Sequence, residues 1–497
     1  MSSSKRYALL LAASLGTFLA SLDISIVNVA LPSIQQALGT DMAGLQWVVS
    51  AYAICLSAFI LCAGPLGDRF GHKRTWLSSI VLFSAASLIC ALATSLTFLL
   101  IGRAIQGIAG AVLIPGALPL ITHAFSVPKE RAHAIGCWSA CSALALVLGP
   151  LLGGLMIHAF GWPSIFLINL PIGLLALALG SWGISERKHP EQAALDPWGQ
   201  LLSVCGLGSL GYGLIRAGEH GFSELAVQFA CAIGLGLLAV FIWVEHRTAR
   251  PLLPLGLFKN RHFAAANLAS FVLGFSCYSS LFFFSLYLQQ VQGWSASQTG
   301  LRMMPTFVCM ALVSLVCARM QRLLGPSRML LGSYVLIAIA MASMALFTQN
   351  TPYPIIFLLF SLLGIGMGAA IPATGLAVMT SVTTPQAAVA SATMNALRQT
   401  GMSLGIALLG SLMSLQATRH LHSALLAQGV PDAARLAHAA IQQHSLPAQA
   451  TWTLDYARAL ASGFNLAMLS AGCCSLLAAL VLAMQKSRNQ LAPTHAV

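Results

Sequence analysis

Charge is what this chain has least of. Asp, Glu, Lys and Arg together make up 7% of its 497 residues, against about a quarter in an ordinary soluble domain. That supply cannot coat a soluble protein of this length, so a large soluble enzyme is excluded. Acids are scarcer than bases, with 12 Asp and Glu against 25 Lys and Arg and a formal net charge of +13. In a soluble protein such an excess would raise nucleic-acid binding, whereas a membrane protein carries it in loops on one side. No G-x-x-x-x-G-K-[ST] phosphate loop occurs, which disfavours ATP-driven pumping. No Ser/His/Asp, paired-carboxylate or Cys/His zinc constellation stands in the apolar runs, so no catalytic residue, metal or organic cofactor is expected. Glycine and proline, 43 and 21 residues, are too ordinary for a disordered or fibrous chain.

What is there is apolar. Hydrophobic residues make up 58% of the chain, in runs of the roughly 20 residues that one spanning helix needs. The 12 cysteines all lie in these runs and are read as small apolar filler, not a disulfide framework. The start, Lys5-Arg6 and a long apolar run, imitates a signal peptide but is too long for one and reads as a first span. Fourteen spanning helices are expected near 7–30, 45–66, 75–94, 97–124, 134–157, 162–184, 198–217, 225–244, 263–290, 298–318, 329–348, 354–377, 388–414 and 460–485. With the N-terminus inside, 18 of the 25 basic residues fall on the cytoplasmic side, five opposite, and two, Arg103 and Arg398, within spans. That bias places both termini in the cytoplasm.

The sequence also repeats itself at an offset near 254 to 257. Gln35-Gln36 and Gly39 recur as Gln289-Gln290 and Gly293; Gly71, Arg74 and Leu77 as Gly325, Arg328 and Leu331; Ile114-Pro115 as Ile371-Pro372. Gly44-Leu45 recurs as Gly300-Leu301, and Leu151 to Met156 as Leu408 to Met413. Helices 1–6 are thereby paired with helices 9–14, leaving helices 7 and 8 as an insert. The expected fold is an all-α polytopic membrane protein: a six-helix bundle over 1–190, the inserted pair with its linkers over 191–262, and a second six-helix bundle over 263–497. Twin bundles of this kind are a transporter architecture. Residues 415–459, rich in Ala, His and Gln, are expected to form an irregular outer loop, where His420 and His422 are read as solvated and not as metal ligands.

Asp23 is the only acid well inside a predicted span, and a carboxylate there is a functional hypothesis by default. At ~1.5 Å per residue from Tyr7 it lies about 24 Å into a ~30 Å core, and Arg103 lies roughly 9 Å from the opposite face, so the two share one half of the membrane. Burial and a neighbouring cation act on a carboxylate in opposite senses. An acid balanced between them can load and release a proton as water access changes; alternatively the pair braces the bundle. Arg398 lies about 16 Å deep with no acid in its own span. Bracing is its preferred reading, beside a loop acid, helix carbonyls or an anionic substrate as partners.

Between helices 2 and 3 runs Gly64-Pro65-Leu66-Gly67-Asp68-Arg69-Phe70-Gly71-His72-Lys73-Arg74. Its glycines permit a tight turn. Asp68 can attract a helix N-terminus and the bases can pair across an interface, together latching one conformation; setting topology is the blander role for the bases. In helix 5, Pro150 removes a backbone donor while Gly153 and Gly154 allow close approach, a packing kink or a coupling device.

These segments carry a resemblance. Gly64 to Arg74 resembles the loop signature of the major facilitator superfamily, with Gly67 where the family often has Ala and His72 where it usually has a base. Arg103-Ala104-Ile105-Gln106-Gly107 with Gly110 resembles its helix-4 motif, whose Arg is associated with proton coupling. Gly149-Pro150-Leu151-Leu152-Gly153-Gly154 is similar to its antiporter motif, although the motif's earlier glycines are absent and Ala145 sits one turn before Gly149. Leu22 to Pro32, Phe166-Leu167-Ile168-Asn169-Leu170-Pro171-Ile172-Gly173 and Asn395-Ala396-Leu397-Arg398-Gln399 resemble signatures of the fourteen-helix drug:proton antiporter branch. Trp162-Pro163-Ser164 departs from the branch's Trp-Arg-Trp. The resemblance implies proton coupling through Asp23 and Arg103, a latch of Gly67, Asp68, Arg69, Gly71 and Arg74, and an antiporter kink of Gly149, Pro150, Gly153 and Gly154. Asn28, Gln106, Asn395, Arg398 and Gln399 are candidates to line a cavity or meet substrate.

The function implied is proton-coupled efflux of small amphipathic compounds across a bacterial inner membrane, with protons as coupling ion. The alternatives are an exporter of one metabolite, amino acid, antibiotic or siderophore, and a transport-dead receptor or scaffold. Later helices hold no extra acid, with Asp432 and Asp455 counted as loop residues, so neutral, monocationic or zwitterionic substrates are expected over dications. The partners expected are small lipophilic substrates and membrane lipids, without nucleic acid; a periplasmic adaptor stays open.

Overall fold

A computed structural model of the chain describes residues 2–186, 196–248, 251–253, 255–383, 386–443 and 450–491. The expected boundaries at 190 and 191, and residues 444–449 of the expected outer loop, lie outside the described residues. Fourteen helices are long and apolar enough to cross a membrane: α1 (Ser3–Leu38), α2 (Met42–Phe70), α3 (His72–Ala91), α4 (Leu96–Ala124), α5 (His133–Phe160), α6 (Ser164–Gly183), α7 (Pro197–His220), α8 (Leu225–Arg247), α9 (Arg261–Val291), α10 (Ala296–Cys317), α11 (Pro326–Met344), α12 (Tyr353–Thr380), α13 (Val389–Ala427) and α14 (Leu454–Gln485). Among the described residues there is no strand, as expected where lipid cannot satisfy open backbone groups.

Side chains mark several helix starts. Asp41 accepts from the Gly44 N–H at 2.7 Å before α2, and Asp196 from the Gly199 N–H at 2.9 Å before α7, where Pro197 needs no donor. The repeat reappears in the backbone. Gly39 and Gly293 have φ of 60° and 72°, and Gly71 and Gly325 have φ of 101° and 82°. Each pair ends a helix at matching places in the two halves, in a conformation that favours glycine.

The chain divides into two compact units. The first comprises Met1–Leu252, Phe284–Met304 and Gln442–Ser445. In it α1 packs along α4, α5 and α6, α3 against α4 and α6, and α2 against α4 and α7; α7 and α8 pair with each other. The inserted pair is therefore seated on α2. The second unit comprises Leu253–Phe283, Pro305–Ile441 and Leu446–Val497. There α9 packs on α12, α13 and α14, α11 on α12 and α14, and α13 on α14.

Three expectations fail. Asp455, counted as a loop residue, stands in the first turn of α14. The outer segment is not irregular: α13 continues to Ala427 and a further helix spans Ala433–Gln443. Hydropathy ends near 414, but Ala, Leu and Gln are good helix formers, so the helix outlasts its apolar face. Ala433, Ala437, Ala440 and Ile441 form the buried stripe of the short helix at one-turn spacing. The segment between helices 2 and 3 is likewise helical through Phe70, and only Gly71 turns before α3 begins at His72.

Candidate functional site

The site grows from α1, the most buried run of the first unit. Asp23 there is 0% exposed and Arg103 of α4 is 1% exposed, so each charge is compensated only by its immediate neighbours. Arg103 reaches them all. Its Nη1 donates to Asp23 Oδ2 and, at 2.9 Å, to Gln106 Oε1; its Nε donates to the Val48 carbonyl of α2 at 3.0 Å. The guanidinium lies over the Tyr52 ring, 4.5 Å from its centroid, and 6.0 Å from that of Phe166. Gly107 makes this possible, because a Cβ there would overlap the Tyr52 carbonyl. The Tyr52 hydroxyl in turn donates to the Ala20 carbonyl of α1 at 3.2 Å.

Gln106 carries the network past the ion pair. Its Nε2 donates to Asp23 Oδ1 at 3.3 Å and to Ser87 Oγ of α3 at 2.8 Å, and Asn169 Nδ2 of α6 donates to the same hydroxyl at 3.1 Å. Asn169 is 0% exposed, and its Oδ1 has no partner among the described residues. Asp23 is thus joined to three other helices by one chain of side chains. Sequence reasoning had Asp23, Arg103 and Gln106; it missed Val48, Tyr52 and Ser87, and quoted Asn169 only within a signature. Asn28 turns away, donating to the Ile24 carbonyl at 2.8 Å.

The helix-5 segment packs against α1 beside the acid. A Cβ on Gly149 would overlap the Ser25 side chain, and one on Gly153 would crowd Ile26. Ser25 also donates to the Ala145 carbonyl at 3.4 Å, so the residue one turn before Gly149 meets α1 through its backbone. Gly154 faces the backbone of Ala296 and Ser297, whose hydroxyl donates to the Gly154 carbonyl at 2.8 Å, and the Pro150 carbonyl abuts Gly300.

At the α2–α3 turn the groups are exposed or half-buried. Asp68 Oδ1 meets His72 Nε2 at 3.1 Å, one turn on. The acid that holds the α3 N-terminus is Glu186, which accepts from the N–H groups of Lys73 and Arg74 at 3.1 and 3.2 Å. Its carboxylate also lies 3.6 Å from the exposed Arg74 side chain, and Arg69 stacks over Phe70 at 5.6 Å. In the second unit, Asn395 accepts from Arg398 and donates to the Ser391 carbonyl at 2.9 Å. Gln399 is buried, with its Oε1 unpartnered among the described residues.

The chain is similar to known proteins along most of its length. The chain is 33% identical over 428 residues to the multidrug resistance protein Stp of Mycobacterium tuberculosis, covering 85% of this chain and 78% of that protein. It is 33% identical over 395 residues to the methylenomycin A resistance protein of Streptomyces coelicolor, covering 80% and 83%. Among solved structures, a bacterial homologue of the human lysosomal transporter Spinster aligns with a TM-score of 0.63 at 20% identity over 97% of this chain and 99% of that one. A D-xylose–proton symporter aligns at 0.61 and 15% identity, over 96% and 97%. Both structures share the fold. The profile of the Major Facilitator Superfamily matches residues 13–406, and this multi-pass membrane protein belongs to that superfamily.

Proposed function

We propose that the protein exports small lipophilic organic compounds from the bacterial cytoplasm in exchange for protons, with both termini inside. The observation that carries this reading is the sealed Asp23–Arg103–Gln106 cluster in the α1–α4 core. A proton arriving on Asp23 cancels one charge of the pair and leaves Arg103 held by Gln106, the Val48 carbonyl and the Tyr52 ring. The α1–α5 contact at Ser25 and Ile26 begins two residues away, so the packing of α5 on α1 is placed to respond to that change. One charge moving through ~150 mV supplies roughly 3.5 kcal/mol, about a 300-fold gradient of a neutral compound.

The relatives' names support drug export, and one of them, for methylenomycin A, supports the second reading of a single antibiotic or metabolite as cargo. The test is proton flux and cargo movement in reconstituted vesicles against a panel of lipophilic dyes and antibiotics. Uphill movement is expected only while a pH or voltage difference is imposed, and Asp23→Asn is expected to abolish it at normal abundance. Uphill movement with both differences collapsed, or full activity in Asp23→Asn, would falsify the proton-exchange reading. One cargo moving while the rest of the panel does not would select the second reading.

A further inference from the structure

Arg103 and Arg398 both lie within spans, and their surroundings differ. Arg103 is sealed, with a carboxylate, a carbonyl and an amide on its donors. Arg398 of α13 is half-buried and has no carboxylate among the described residues. Of its five guanidinium donors, one meets the Asn395 amide oxygen, while Nε is buried and unpartnered among the described residues. The guanidinium also faces the Tyr278 ring, with its carbon 5.5 Å from the ring centroid.

The backbone of α9 is irregular beside this residue. α9 is α-helical to Leu273 and then takes a π turn over Gly274–Tyr278. The turn begins where α9 touches α13, since a Cβ on Gly274 would overlap the Arg398 carbonyl. A π turn adds a residue and so rotates the rest of the helix by about 100°. The bulge thereby sets the direction of Tyr278. Among the described residues this cation is held in its span by neutral groups alone, with donors to spare, and a charge so placed calls for a partner. It stands nine residues past Val389, about 14 Å along the helix axis and so far from the level of a lipid headgroup.

We propose that Arg398, with Asn395 and Tyr278, binds a carboxylate or similar oxyanion on the exported compound, so that lipophilic acids and zwitterions are the favoured cargo. This rests on the export reading above and names its substrate class. Arg398 supplies the charge and paired donors, Asn395 steers the guanidinium, and Tyr278 covers its face.

The test uses the full chain in neutral-lipid nanodiscs and vesicles, with coumarin-3-carboxylate and its uncharged carboxamide as matched fluorescent probes. Wild type is expected to bind and export the acid in preference to the amide. Arg398→Gln is expected to weaken the acid tenfold or more and leave the amide within about twofold, and Arg398→Lys to restore part of the preference. Equal loss of both probes, or an unchanged acid-to-amide ratio in Arg398→Gln, overturns the proposal in favour of a brace. Loss of acid binding when phosphatidylglycerol is added overturns it in favour of a lipid headgroup. Asp23-dependent export of the amide is read in the same vesicles, so that failure of the export reading itself is seen separately.

Discussion

A Cβ on residue 67 would lie 2.5 Å from Nδ1 of His72, so Gly67 and the histidine ring share one space. Both stand where this segment differs from the signature it resembles, and the two differences meet in space. The ring folds back over Gly67 to reach Asp68 at 3.1 Å. Gly67→Ala is therefore expected to push the ring out and break that contact, at a cost of about 1 kcal/mol. In a His72→Ala background the same substitution no longer meets the ring, and the cost should shrink. Melting temperatures and transport rates of the four proteins form the cycle. Strictly additive effects would mean that the ring moves aside freely.

The turn beside it makes a second prediction. Glu186 accepts from two backbone N–H groups at the α3 N-terminus, and Gly71 stands against its carboxylate at φ 101°. Glu186→Ala removes a cap and should cost about 1 kcal/mol. Gly71→Ala meets both the carboxylate and a strained backbone, so it should cost more, about 2 kcal/mol. Thermal stability in detergent and in lipid, measured for both variants, checks the order. Because Arg74 is exposed, Arg74→Gln should have little effect on stability in either medium.

How much of the site was legible depends on which residues stand out in an apolar run. Asp23 and Arg103 did, because a charge is rare there and must have a partner. Tyr52, Ser87 and the Val48 carbonyl did not: neutral side chains are common in spans, and every residue has a carbonyl. Asn169 was visible as a letter in a signature, but that its amide meets Ser87 depends on the packing of α6 on α3. The fourteen helices could be counted from hydropathy, which marks what lies in lipid. It does not mark where a helix stops, and so it missed the extension of α13 to Ala427. The two π turns of α9, over Gly274–Tyr278 and Tyr287–Val291, carry no periodic signal of their own.

Asn169 yields a third prediction. Its amide N–H holds Ser87, which also accepts from Gln106, the residue that touches Asp23. Asn169→Ala removes one buried hydrogen bond, worth about 1 kcal/mol, and loosens Gln106 without touching the carboxylate. Export should fall roughly fivefold, with proton release slowed in step and abundance near normal. Ser87→Ala, which frees Gln106 directly, should cost at least as much. If Asn169→Ala exports as wild type does while Ser87→Ala does not, the amide is not part of the relay.

The helix-5 glycines allow the sharpest contrast, because one substitution should have opposite effects at two places in a single helix. Gly136 has open space where a Cβ would go, whereas at Gly149 a Cβ would overlap the Ser25 side chain and stand 3.1 Å from the Ile26 nitrogen. Gly136→Ala should stabilise α5 by up to about 1 kcal/mol, as helix propensity alone dictates. Gly149→Ala must drive α5 away from α1 at the level of Asp23, costing about 1–3 kcal/mol of overpacking. The contact is coupled to the acid only if separating the helices also disturbs proton exchange. Gly149→Ala should therefore lower cargo-driven proton release more than it lowers cargo binding. Ser25→Gly in the same chain removes the first clash but not the second, so partial recovery of coupling is expected. Recovery of stability with no recovery of proton release would show that the α1–α5 contact packs the bundle without transmitting the charge state of Asp23.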